Sequence, residues 1–181
     1  MISSFFDNSY GELIKGIVRS QKPLLVVEFG ILFGYSTLNV IESMKCNGFG
    51  KLISNDMFDD FPYNHADETL TRKLFTGMPN VEIRKSDFYN LSAKAIEEIS
   101  QCEMLIIDIG NVRKTYEYFI SEIYPKLKSE TIAILEGGSV GRDNYYKVKG
   151  YSTESINDFL KTVPEKYCIF NNFPSVTVFT K

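Results

Sequence analysis

The chain has 181 residues, is 44% hydrophobic and 24% charged, and carries a formal net charge of −3. That length is enough for one domain with its own core, and the composition is that of an ordinary globular protein. Net acidity without clustered Lys and Arg argues against a nucleic-acid partner.

The three cysteines, Cys46, Cys102 and Cys168, are widely spaced and odd in number. They make neither a disulfide framework nor a zinc site, so reduced thiols and a cytoplasmic setting are expected. Met1 to Tyr10 carries Asp7 and no long apolar run, unlike a signal peptide. No stretch approaches the roughly 20 apolar residues of a membrane span. Without repeats or low-complexity linkers, residues 1–181 read as a single unit, with 1–22 as an N-terminal helical cap region.

Tyr10 to Ser20 places Leu13, Ile14, Ile17 and Val18 on one helical face. After Pro23 the apolar run Leu24 to Val27 predicts a buried parallel strand. Glu28, Gly30 and Gly34 follow, then Tyr35, Ser36 and Thr37 at the start of a helix that stops at Asn47-Gly48. The glycines allow close backbone approach to a ligand, and the free amides of the helix start favour an anionic group. A dinucleotide site would want G-x-G-x-x-G for its diphosphate. The spacing here, E-x-G-x-x-x-G, suits one carboxylate and one ammonium, with Glu28 near the ammonium. S-adenosylmethionine (SAM) carries both groups. An ordinary strand-turn-helix with structural glycines is the alternative for this loop alone.

At these residues the chain resembles the first motif of class I SAM-dependent methyltransferases. It is most similar to their small-molecule O-methyltransferase branch, of catechol type or methyltransferase-24-like, where E-x-G-x-x-x-G-Y-S is typical. The resemblance implies an α/β, three-layer Rossmann-like sandwich with a seven-stranded, mostly parallel sheet. It also implies SAM as cofactor, bound by Glu28, Gly30, Gly34, Tyr35 and Ser36.

Gly50 to Asp56 reads as strand two and ends on an acid about 20 residues past the glycine turn, the place of a ribose-binding carboxylate. Asp56 is the candidate; Asp59 and Asp60 read as solvated. The loop Met57 to Ala66 carries the only histidine, His65, which is a candidate for a catalytic or substrate role as well as a plain solvated residue. Phe58, Phe61 and Tyr63 are candidates for an apolar wall. Asp67 to Thr76 predicts a helix, and Asn80 to Lys85 alternates as strand three. The resemblance implies that Asp87 contacts the adenine amino group and Phe88 stacks on the ring. Asp87 is also expected to cap a helix over Leu91 to Ile99.

Glu103 to Asp108 is a second buried strand type, and its terminal Asp108 points to the crevice of an open α/β sheet. Asp108 is the first candidate for a role near the reacting methyl group. Asn111 stands about where many relatives carry a histidine, and is a candidate for substrate contact. Thr115 to Lys128 predicts an amphipathic helix interrupted at Pro125. Thr131 to Glu136 is strand five, which puts Glu136 about 5 Å from Asp108 at the backbone. Two carboxylates there can share a divalent cation such as Mg²⁺. Catechol-type relatives do so with an Asp-Asn pair. Here Glu136-Gly137 loses one ligand, so a metal on Asp108 and Glu136 is not the favoured use.

Ser139 to Tyr151 reads as a long loop bringing Arg142, Tyr145 and Tyr146 near the strand ends, as candidate contacts for a polar or anionic substrate. A helix capped by Ser152 or Thr153 and running through Leu160 follows. Two strands, Tyr167 to Phe170 and Val176 to Phe179, then form an antiparallel hairpin. The exposed aromatics of the long loops fit a homo-oligomer. The functional expectation is methyl transfer from SAM to a hydroxyl or amine of a small, polar molecule. A SAM- or nucleoside-binding protein without methyl transfer is the alternative. A nicotinamide (NAD) oxidoreductase is argued against by the glycine spacing and the hairpin.

Overall fold

The structure is a computed structural model that describes residues 10–61, 65–171 and 174–181. Its seven strands are β1 (Leu25–Phe29), β2 (Lys51–Asp56), β3 (Val81–Lys85), β4 (Met104–Ile107), β5 (Ile132–Glu136), β6 (Tyr167–Phe170) and β7 (Val176–Thr180). They form one sheet in the order β3-β2-β1-β4-β5-β7-β6. The first five run parallel, while β7 is antiparallel to both β5 and β6. The expected sheet and its closing hairpin are therefore present.

Among the described residues seven α-helices cover the faces: α1 (Tyr10–Gln21), α2 (Tyr35–Asn47), α3 (Glu68–Leu74), α4 (Ala93–Gln101), α5 (Arg113–Tyr118), α6 (Val140–Val148) and α7 (Ile156–Leu160). The central strands are apolar on both faces because both are packed. Val26, Leu52, Met104, Ile106 and Ile134 meet Ile14 and Val18 of α1 and Val40 and Met44 of α2. Their neighbours Val27, Phe29, Leu105, Ile107 and Leu135 meet Ile99, Tyr116, Phe119, Ile156 and Leu160 on the other side. The period-two alternation of the strands sorts the side chains into these two cores.

Strand order reverses between β1 and β4, which are adjacent although far apart in sequence. Ligands of open α/β sheets bind at such a switch point, beyond the carboxyl ends of the strands. Phe29 pairs with Ile107, and Ile107 with Leu135, so Gly30, Asp108 and Glu136 emerge at one level.

Four local expectations are corrected. Residues 139–151 are not a loop: α6 fills 140–148, with the Ser139 hydroxyl accepting the Arg142 amide at 3.1 Å. Its poor helix formers hid it, and tertiary burial of Arg142 holds it. Ser92, not Asp87, caps α4, which begins at Ala93; Asp87 instead accepts the Tyr89 amide at 2.9 Å. Ser155 caps α7 in place of Ser152 or Thr153. The predicted helix over 115–128 is three pieces: α5, a π-helical turn Phe119–Ile123 and a 3-10 turn Tyr124–Lys126. Pro125 has no amide proton to continue an α pattern.

Candidate active site

Gly30 and Gly34 have φ of 96° and 73°, the left-handed region that favours glycine. At Gly30 there is a second reason. A Cβ there would run into the carbonyl group of Asp108, far inside van der Waals contact. The turn after β1 is thus pressed onto the end of β4, where the Asp108 amide donates to the Phe29 carbonyl at 2.8 Å. Gly34 precedes α2 without a side-chain cap, so no capping side chain takes up the first amides of that helix.

Glu28 is fully buried beneath this turn. Its Oε2 accepts the Thr37 hydroxyl at 2.7 Å and the hydroxyl of Ser54. Its Oε1 has no hydrogen-bond partner among the described residues. Burial pushes the carboxyl up to about 7, against the pull of the Ser36, Ser54 and Thr37 hydroxyls. A buried carboxylate with a vacant oxygen, poised near neutrality, is suited to a cationic group.

Asp56 lies at the end of β2, as expected, and its carboxylate grips the backbone. Oδ2 accepts the amides of Ile31 at 2.7 Å and Leu32 at 3.2 Å, and Oδ1 accepts that of Phe58 at 2.8 Å. Leu32 and Phe58 both have positive φ, 47° and 51°, a conformation costing roughly 1–2 kcal/mol for an L-residue. Asp56 therefore fastens the glycine turn in its strained shape. The neighbouring Asp59 and Asp60 are exposed and pair with Lys85 at 2.9 and 2.8 Å.

Asp108 and Glu136 come together at the ends of β4 and β5, close enough for each to perturb the other. Burial raises both carboxyls, and their mutual repulsion raises Glu136 further. Two carboxyls this close titrate as a pair rather than singly. The guanidinium of Arg142, delivered by α6, forms an ion pair with Glu136. Arg142 is only 2% exposed; the ring of Tyr146 lies 4.8 Å and that of Tyr145 5.9 Å from it.

Asn111, 4% exposed, has neither side-chain amide atom hydrogen-bonded among the described residues. It fills the space over Gly137, where a Cβ would strike its Oδ1. The Tyr116 hydroxyl donates to the Glu136 carbonyl at 2.9 Å and Thr177 to that of Gly137 at 2.9 Å, which fixes the end of β5.

Tyr10 was not singled out by sequence. It starts α1, is buried, and lies near enough to Asp108, Glu136 and Glu28 for their charges to add to the burial that raises its hydroxyl. The adjoining Gly11 lets α1 pack closely on α2, since a Cβ there would come within 2.6 Å of the Tyr35 hydroxyl. The only available signal was the Tyr-Gly pair opening an amphipathic helix.

Other candidates fall elsewhere. Phe88 is in the core, its ring 5.1 Å from Phe29 and 5.2 Å from Tyr118, because the Asp87 turn directs it inward. His65 is exposed on the connection from β2 to α3. Phe58 is buried and Phe61 exposed; Tyr63 lies outside the described residues. No described helix is long and apolar enough to cross a membrane.

Five parallel strands closed by an antiparallel hairpin, with a glycine turn after β1, make the fold of the class I methyltransferases. The chain belongs to the methyltransferase-domain family, whose model matches residues 27–136, more than half of it. Solved structures agree on the fold. A methyltransferase of Podospora anserina, bound to S-adenosylhomocysteine (SAH), superposes with a TM-score of 0.67 at 13% identity, over 99% of this chain and 79% of that one. An O-methyltransferase of Streptomyces achromogenes involved in tomaymycin synthesis, in complex with SAM, gives 0.63 at 12%, over 94% and 79%. An O-methyltransferase of Bacillus cereus, in complex with SAH, gives 0.60 at 15%, over 100% and 83%. No curated protein matches the sequence.

Proposed function

We propose that the chain transfers a methyl group from SAM to a hydroxyl, or an amine, of a small polar molecule. The observation that carries this reading is the vacant Oε1 of buried Glu28 beneath the Gly30–Gly34 turn. It pairs one acid with one set of helix-start amides, which fits an ammonium and a carboxylate on the same ligand. The O-methyltransferase relatives solved with SAM or SAH support the same reading.

In it, Glu28 and the amides around Gly34, Tyr35 and Ser36 hold the methionine end. Asp56 takes the ribose hydroxyls with the acceptor capacity its amide contacts leave, and Asp87 the adenine amino group. The Phe88 ring is left out because it is core. When bound, SAM supplies a methyl group already activated by its sulfonium.

The protein's task is then to align the acceptor, exclude water and receive a proton. Asp108 receives it, with Glu136 sharing the charge. Asn111, Tyr145, Tyr146 and Arg142 line the acceptor side, and Tyr10 helps to close the crevice. His65 is the second candidate base. Binding of SAM without methyl transfer is the other reading, favoured by the closure of Arg142 and Tyr146 over the carboxylates.

Calorimetric titration with SAM and with NAD, for the wild type and Glu28→Gln, tests the cofactor. SAM binding that weakens in the variant is expected. No SAM binding at about 1 mM, a level that even weak specific ligands reach, would sink the proposal. Incorporation of label from methyl-labelled SAM into small phenols, acids and amines then separates transfer from binding alone.

A further inference from the structure

The Mg²⁺ that a catechol-type site would hold needs oxygen donors at the ends of β4 and β5. The residues there do not fit it. Position 137 is glycine and offers no side chain, and among the described residues no group of three His, Cys, Asp or Glu is assembled for a metal. Above all, the Glu136 carboxylate is already matched by a cation from the chain itself, the Arg142 guanidinium.

That cation is built in. Arg142 is 2% exposed, its Nη2 lies 3.4 Å from the Tyr146 hydroxyl, and the Tyr146 ring covers it. Its helix is fixed at one end by the Ser139 cap. Mid-helix, Asp143 Oδ2 accepts the Ser155 hydroxyl at 2.8 Å and the Asn157 amide at 2.9 Å from α7. A guanidinium never deprotonates in a protein and suits a buried ion pair. A dication between Asp108 and Glu136 would have to sit against this fixed positive charge, which the low local dielectric screens poorly.

We propose that Arg142 occupies the cation position of the Asp108–Glu136 pair, and that the reaction at this site needs no divalent metal. The second half rests on the methyltransferase reading; the first stands on the side-chain geometry alone. Taking away the guanidinium leaves the Asp108 and Glu136 carboxylates together without their cation. The loss of Arg142 therefore creates a metal site that the native chain lacks.

Manganese binding measures this without any turnover. Purified wild type and Arg142→Met are titrated with Mn²⁺ to about 1 mM, free ion being followed by electron paramagnetic resonance; Mn²⁺ takes the same carboxylate and carbonyl ligands as Mg²⁺. Wild type is expected to bind none at the pair. The variant is expected to bind one ion with a Kd at least about tenfold below the ~1 mM limit of the titration, and to lose it when Glu136→Gln is added. One Mn²⁺ bound by wild type and lost with Glu136→Gln overturns the proposal. So does a folded Arg142→Met that binds no ion. If that variant does not fold, Arg142→Gln replaces it, and the wild-type titration decides by itself. A SAM titration on the same samples keeps the outcomes apart: absent SAM binding removes the methyltransferase reading and leaves the manganese result standing.

Discussion

Gly30 is pressed against the main-chain carbonyl of Asp108, and no side chain fits between them. This contact joins the glycine turn after β1 to the residue that carries the carboxylate at the end of β4. Gly30→Ala would add overpacking, roughly 1–3 kcal/mol, to the strain of a left-handed alanine, roughly 1–2 kcal/mol. For a domain of this size that lowers the melting temperature by on the order of 10 °C. A variant melting within about 2 °C of wild type, a shift worth less than 1 kcal/mol, would mean the two loops can part freely.

Asp56 makes the obvious cofactor variant ambiguous. Removing a carboxylate that accepts three backbone amides leaves buried donors unpaired, at about 1–3 kcal/mol each. Asp56→Ala is expected to destabilise the apoprotein and to lose SAM binding through the collapsed turn. Asp56→Asn keeps one acceptor oxygen and is expected to be the milder in thermal melts. Equal melting of wild type and Asp56→Ala would show that the amides find water instead.

Glu28 gives stability a pH signature. Its folded value of about 7 lies above the ordinary 4.5, so between these pH values the folded state holds a proton that the unfolded chain has released. Stability from this group is complete below pH 4.5 and falls as pH rises to about 7, by about 3 kcal/mol in total. Denaturant unfolding at a series of pH values should show this slope, and Glu28→Gln should flatten it. Conversely SAM affinity should rise with pH across the same window, since an ammonium favours the ionised acid. An affinity independent of pH would place the ammonium elsewhere.

Asn111 should behave in the opposite sense in stability and activity. Its amide is buried with no partner among the described residues, so Asn111→Ala removes an unsatisfied group, and the melting temperature should hold or rise. Turnover of the acceptor should fall by about tenfold or more, as for loss of a positioning contact. A destabilised variant with unchanged turnover would make Asn111 a structural residue.

Much of this was legible in the residues. Alternating strand and helix signals, a Glu28–Gly30–Gly34 turn and acids at 56, 108 and 136 are properties of short segments, and α1 and both hairpin strands came out near their actual ends. What misled was also local. Ser139-Val140-Gly141 with Asp143-Asn144 has the composition of a loop, yet it folds as α6 because Arg142 is buried against Glu136 and Asp143 is tied to α7. Phe88 follows an acid as a stacking aromatic would, but the side of the sheet on which it lands depends on Phe29 and Tyr118, which are distant in sequence.

The sequence by itself determined the order of elements, the parallel sheet with its antiparallel end, and which acids stand at strand termini. These follow from periodicity and turn chemistry within a few residues. Only the tertiary structure decided that Arg142 neutralises Glu136, that Asp56 fastens the glycine turn, that Asn111 is unpaired over Gly137 among the described residues, and that Tyr10 is buried within range of the carboxylates' charges. Partners of a buried charge come from whichever elements pack together, and that pairing is a property of the whole sheet rather than of any one stretch of chain.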